Sequence, residues 1–180
     1  MADEEQAVEF VEKQEDSTLS GAITTLPGDS GGATRFGLAS ADHPELEAKG
    51  FYKETDGVPT IPTVEALPIA DIAYTEEYAA PACIGMIQDQ ALANRVLSFA
   101  VNEGEHQAIV ILQRALNYLG CSLKTDGVMG PLTLEAINAQ NPETLLATMR
   151  SMQADFYRHL VAVRPQLLPY LNGFLNRVNA

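Results

Sequence analysis

Apolar positions recur at helical spacing along most of this chain, and the interruptions gather in its first half. Over residues 3–15, Ala7, Val8 and Val11 share one side of a helical wheel, with Glu4, Glu5, Glu9 and Glu12 largely elsewhere. Residues 16–38 lose that period. Gly21, Gly28, Gly31, Gly32 and Gly37 crowd together beside Pro27 and several Ser and Thr residues, a composition that predicts a loop or small hairpin. Residues 42–68 contain Pro44, Pro59, Pro62 and Pro68 and predict an irregular lobe with a short helix after His43.

The second half is more regular. Helices are predicted over 69–79, over 88–102 with Leu92, Val96 and Phe99 inward, and over 105–119 with Ala108, Ile111, Leu112, Ala115 and Leu119 inward. Asp126-Gly127 marks a turn, and Pro131 opens the next helix, where its missing N–H costs nothing. In Asn141-Pro142-Glu143 the Asn caps, the Pro opens and the Glu favours the helix dipole. The helix so begun runs to about residue 162, with an expected inner stripe of Leu145, Met149, Met152 and Phe156, and a last amphipathic stretch covers 166–178. The pattern predicts a mainly α (α+β) fold, a helical body with a small Gly-rich hairpin or loop lobe near its start.

Composition narrows the classes. A chain of 180 residues with 46% hydrophobic residues can bury a sizeable core and is not a disordered protein. No apolar run approaches the roughly 18–20 residues that span a bilayer. The acidic start, Met1-Ala-Asp-Glu-Glu, is unlike a secretory signal, so the expectation is synthesis in the cytoplasm without a signal peptide. The net charge of −13 lies entirely in residues 1–80, which hold 17 acids and 4 bases, against 7 of each in the remainder. Such a surface repels phosphate backbones, so neither nucleic acid nor an anionic membrane is an expected partner. The acidic half reads either as a solvated face or as a field acting on a site within it.

Several chemistries are disfavoured. Cys83 and Cys121 are too few and too far apart for a metal motif; two separate thiols are the first reading and a disulfide the second. His43, His106 and His159 lack metal-ligand spacing. The Gly31-Gly32 pair is not followed by Lys-Ser or Lys-Thr, and there is no Gly-x-Ser-x-Gly elbow. Neither a metal nor a cofactor is expected.

Two carboxylates remain. Glu15 lies four residues after Val11 and seven after Val8, on the apolar face near the end of the first helix. Desolvation and the negative helix end both favour the protonated acid there, the form a glycosidase needs to protonate a leaving oxygen. The plainer reading is a surface Glu at a frayed helix end. Asp29 sits in Pro27-Gly-Asp-Ser-Gly-Gly-Ala-Thr34, where Gly31 and Gly32 would let backbone approach a ligand. It could activate water or stabilise positive charge, with Thr34 helping to hold that water. It could equally close a turn through its own hydrogen bonds.

At these residues the chain resembles the glycoside hydrolase family 108 N-acetylmuramidases of phages and bacteria. Their first helix ends in a His-Glu-Gly-Gly-Tyr type motif, followed by Asp-Pro-Gly-Gly-x-Thr-Asn-x-Gly. Here stand Phe10-Val-Glu-Lys-Gln-Glu15 and Asp29-Ser-Gly-Gly-Ala-Thr-Arg-Phe-Gly37. Tyr74-Thr-Glu-Glu-Tyr78-Ala-Ala-Pro81 and Ala100-Val-Asn-Glu-Gly104 are similar to later family segments. So are Leu112-Gln-Arg-Ala-Leu116, Asp126-Gly-Val-Met-Gly-Pro-Leu-Thr-Leu134, Phe156-Tyr157 and Gly173-Phe-Leu-Asn-Arg177. The departures fall at the site: Gln14 replaces the motif His, Asp16-Ser17 replaces Gly-Gly, and Arg35 stands where the family has Asn. The loop from Glu15 to Asp29 is also longer than the family pattern.

The resemblance implies a lysozyme-like fold, with a catalytic region over 1–104 and a helical peptidoglycan-binding-like region over 105–180 packed on it. It implies cleavage between N-acetylmuramic acid and N-acetylglucosamine, with Glu15 as acid, Asp29 and Thr34 opposite, and Tyr78 and Asn102 binding sugar or peptide substituents. A lytic transglycosylase and a non-catalytic wall-binding protein are the rival readings. Peptidoglycan is the expected partner, in the periplasm or wall. A signal-less chain reaches it through a holin or dedicated secretion machinery, and an effector would also need an immunity protein.

Overall fold

Helix α4 (Gln90–Glu103) occupies the centre of the fold, with Leu92, Ala93 and every residue from Arg95 to Ala100 buried. A helix covered this far round needs several neighbours rather than one. They are α1 (Glu4–Glu15), α5 (Glu105–Tyr118) and α7 (Pro142–Val163), all packed on α4. The computed structural model describes residues 1–25 and 31–179. Side-chain caps start three of these helices: Asp3 accepts from the Gln6 N–H, Asp89 from Leu92 and, as the sequence predicts, Asn141 from Thr144. Gly104, at φ +84°, separates α4 from α5.

The small lobe follows α1. Strands β1 (Thr24–Thr25), β2 (Ala33–Arg35) and β3 (Leu38–Ala39) form an antiparallel sheet, with Thr34 opposite Thr24 and Ala39, and Arg35 opposite Leu38. The β2–β3 connection is Phe36-Gly37, both at positive φ (50° and 81°), the backbone of a two-residue type I′ hairpin. Helix α2 (Pro44–Ala48) follows His43, as predicted. Within the lobe read as irregular there is a second hairpin, β4 (Glu54–Thr55) and β5 (Val58–Pro59), turned by Asp56-Gly57, again both at positive φ.

Two expectations are corrected. The helix predicted from residue 69 is α3 (Thr63–Tyr74), followed by a π-helical turn over Thr75–Ala79. Pro68 does not stop it, because the buried stripe Ala66, Ala70, Ala73 and Tyr74 is held by tertiary packing, and the proline lies on the exposed side. In α7 the buried stripe is Leu145, Met149, Gln153, Tyr157 and Val161, so Met152 and Phe156 are only half-buried. Tyr157 is drawn inward by Phe99, in edge contact at 5.8 Å, and by Phe174, stacked at 4.6 Å.

The C-terminal part continues from α5 through α6 (Pro131–Ala139), α7, a 3-10 turn (Pro165–Tyr170) and α8 (Leu171–Asn179). The buried Gln113 organises the loop before α6. Its amide donates to Asp126, the Val128 carbonyl and Thr133, and its oxygen accepts from the Gly127 N–H. Cys83 and Cys121 are free, half-buried thiols. No helix among the described residues is long and apolar enough to cross a membrane.

Candidate active site

Glu15 is the last residue of α1, and three contacts fix the chain around it. Gln14 accepts a 2.6 Å hydrogen bond from Ser98, tying the helix end to α4. Asp16 accepts from the Gly21 N–H, from both the N–H and hydroxyl of Thr18, and from Ser20, and so shapes the turn that leaves the helix. Burial opposes the charge on Asp16, but these hydrogen bonds outweigh it and hold the carboxyl below its usual range. Arg35 is fully buried in the small lobe and donates to the carbonyls of Gly21, Phe51 and Ile61 at 2.8, 3.0 and 2.8 Å. Gln14, Asp16 and Arg35, three of the residues that depart from the family motif, therefore each have a structural task.

The Glu15 carboxylate pairs with Arg177 of α8, 162 residues away. Arg177 is itself held from behind: its carbonyl accepts from Arg95 at 2.8 Å, and its neighbour Val178 is buried. From the other side, the hairpin turn reaches the helix end. A Cβ on Gly37 would lie 2.6 Å from the Glu15 Cβ, 2.7 Å from its Cγ and 2.7 Å from the Tyr74 hydroxyl. That hydroxyl donates to the Phe36 carbonyl at 2.8 Å, locking the hairpin onto α3. Gly37→Ala is therefore expected to push Glu15 out of place and to strain a backbone at φ +81°. The expected result is a loss of turnover of at least about tenfold, since displacement by an ångström can cost more than that. A fall of only a few degrees in melting temperature should accompany it, and unchanged turnover would mean that the turn does not position the acid.

Asp29 lies outside the described residues. Thr34 is half-buried at the middle of β2, between Thr24 and Ala39. The Gly31 carbonyl accepts from the Ala41 N–H at 3.0 Å, and Gly32, at φ +75°, lies against Ser40. It is Gly37, three residues after Thr34, that meets Glu15. Tyr78 stands on the π-helical turn with its ring 6.0 Å from that of Tyr74. Burial raises its pKa, as do the carboxylates of Glu77, Asp42 and Glu15, so it shares the electrostatic field of Glu15. Asn102 donates to the Ser98 carbonyl at 2.7 Å and lies in a closely packed crevice with Ser98, Phe99, Tyr157 and Arg177.

A second carboxyl pair lies one helical turn earlier. Glu12 and Asp71 line a cleft of about 660 Å³ between α1 and α3 that does not include Glu15. Burial pushes the Glu12 carboxyl up to about 8, with a hydrogen bond to Asp71 and the charges of Asp71 and Glu9 adding to it. Accessibility separates the two acids. Glu12 is 2% exposed, whereas the Glu15 side chain keeps 18% open to solvent and can meet a polymer. Glu12 instead makes stability depend on pH. Folding takes up a proton there between the ordinary value of 4.5 and about 8. The contribution of Glu12 to stability is thus fullest below pH 4.5 and falls as pH rises to about 8. Glu12→Gln should flatten that slope and raise the urea midpoint at pH 8 and above; a slope that persists would place its origin elsewhere.

Gly37, Tyr74 and Arg177 each stand in a segment similar to the family's, but no signal along the chain links any of them to Glu15.

Residues 17–104 match the family model "Glycosyl hydrolase 108", and residues 107–179 match a model described as "Predicted Peptidoglycan domain". The first match begins two residues after Glu15. Among curated proteins no relative is matched by sequence. Among solved structures the chain is similar to SagA of Brucella abortus, with a TM-score of 0.71 and 20% identity over 97% of this chain and 88% of that one. At that identity the likeness speaks for the fold, mainly α and lysozyme-like as the sequence led us to expect. By these matches residues 17–104 are similar to the glycosyl hydrolase 108 family and residues 107–179 to a peptidoglycan domain, a combination that supports a peptidoglycan hydrolase.

Proposed function

We propose that the chain is an N-acetylmuramidase that cleaves the bond between N-acetylmuramic acid and N-acetylglucosamine, with Glu15 as proton donor. The observation that carries this reading is the position of Glu15. A partly exposed carboxyl sits where the end of α1, the hairpin turn at Gly37 and Arg177 of the peptidoglycan domain converge. Protonated Glu15 gives its proton to the glycosidic oxygen while positive charge grows at the sugar carbon. Asp29, or a water held by Asp29 and Thr34, meets that charge from the opposite face. Tyr78 and Asn102 contact the substituents of the sugars, and the backbone at Gly31 and Gly32 lets the glycan approach the lobe closely.

Digestion of purified sacculi followed by mass spectrometry of the released fragments tests this. Hydrolysis leaves reducing N-acetylmuramic acid ends. Anhydro ends would instead make the protein a lytic transglycosylase. Binding to sacculi without soluble fragments would leave a wall-binding protein on the same fold. Under the muramidase reading the chain acts in the periplasm or wall, reached through a holin or dedicated secretion machinery.

A further inference from the structure

We propose that His43, Glu45 and Glu77 form a binding site for a divalent transition-metal cation, Zn²⁺ foremost, that clamps the small lobe to the helical body. Among the described residues this is the one group of three such side chains whose ligand atoms all lie within 4.8 Å of one another. The His43 Nδ1 is 3.2 Å from the Glu77 carboxylate and 3.7 Å from that of Glu45. Bond lengths of about 2.0–2.2 Å from zinc to nitrogen and oxygen set tetrahedral ligand separations of about 3.3–3.5 Å, between those two distances. Imidazole with two carboxylates and room for water is a donor set that suits zinc, and manganese less well.

The elements bring these ligands together from separate parts of the chain. His43 precedes α2 and Glu45 lies in its first turn, but the His43 side chain makes no capping hydrogen bond to that helix. Its ring is 4% exposed and turned to the carboxylates. Glu77 comes from the π-helical turn after α3, a widened geometry often found where a helix is bent to a function. A single Nδ1–H can serve only one of the two carboxylates well, whereas a cation serves all three groups at once.

A second observation points the same way. The hydroxyl of Tyr52 is buried and has no hydrogen-bond partner among the described residues. Burial raises its pKa well above the ordinary value, and the carboxylates of Glu45, Glu47, Glu77 and Asp42 raise it further, so it lies within the electrostatic reach of the same cluster. Burying a hydroxyl unpaired is unfavourable, and water carried by a cation on the trio would supply the missing partner. This inference stands independently of the muramidase reading, since none of the three ligands is assigned to catalysis.

Calorimetric titration of chelator-treated protein with ZnCl₂, beside thermal melts, tests it. Wild type is expected to bind one equivalent at micromolar or tighter dissociation constant and to melt several degrees higher with zinc, since a ligand of the folded state stabilises it. A Glu45→Gln, Glu77→Gln double variant changes two solvent-facing carboxylates, so its metal-free melting temperature should stay near that of wild type. It should bind zinc at least about tenfold more weakly, the loss that even outer-shell partners produce. Cobalt in place of zinc should give visible d–d absorption without a thiolate charge-transfer band, separating this site from Cys83 and Cys121. No binding by wild type, equal binding by the double variant, or a thiolate band would overturn the proposal.

Discussion

Glu15→Gln is expected to lower the release of soluble fragments from sacculi by about 100-fold or more, the usual scale of general acid catalysis, with the melting temperature little changed. Glutamine matches glutamate in shape, and its amide oxygen can still accept a hydrogen bond from Arg177, so the contact between α1 and α8 survives. What is lost is the proton that a carboxylic acid can give. Glu12→Gln provides the matched comparison on the same helix. It should keep activity while changing stability at high pH, because that residue is only 2% exposed and lies in a different cleft from Glu15. Wild-type rates from purified Glu15→Gln would remove it as the acid. Loss of activity in Glu12→Gln alone would transfer the role to the cleft between α1 and α3.

The second large effect is on stability. Arg35→Ala deletes a guanidinium that satisfies three backbone carbonyls at once and lies 5.5 and 5.2 Å from the ring centres of Phe36 and Phe51. Burial depresses its pKa, with Glu54 opposing, yet the fork still satisfies all three carbonyls. Each buried carbonyl left without a donor costs about 1–3 kcal/mol, so a loss of about 3 kcal/mol or more is expected. For a chain of this size that is a fall of about 6–12 °C in melting temperature. Arg35→Lys should recover only part of it, since one ammonium cannot reproduce a fork that reaches three carbonyls. Activity should fall too, because the lobe held by Arg35 carries the turn that abuts Glu15. A melting curve unchanged in Arg35→Ala would show that the lobe is held by its apolar contacts alone.

Much of the molecule was legible along the chain. The helices of the second half follow from apolar spacing, and Asn141 and Pro131 mark helix starts through groups only a few residues away. The Gly-rich lobe and the short helix after His43 were legible for the same reason: turns and caps are local chemistry. Glu15 was legible as an acid on the inner face of a helix end. Asp56-Gly57 is a hairpin turn signal inside the segment that its prolines mark as irregular. Pro68 misled because an exposed proline costs a helix one hydrogen bond, while a buried alanine stripe on the far side holds the helix together.

What the amino-acid sequence determined by itself is the set of elements, their inward faces and the family motifs they bear, because periodicity and capping act within a turn or two of chain. Only the tertiary structure decided which charges meet. Arg177 reaches Glu15 across 162 residues, Glu77 reaches His43 across 34, and Asp71 meets Glu12 between two helices. Arg35, noted along the chain only as standing where the family has Asn, is fully buried, and Gln153 takes a core position beside the Met152 that was expected to fill it. Such pairings depend on how packed elements are set against one another to within an ångström. Local spacing carries no information at that range, because the energy that fixes the packing comes from the whole core.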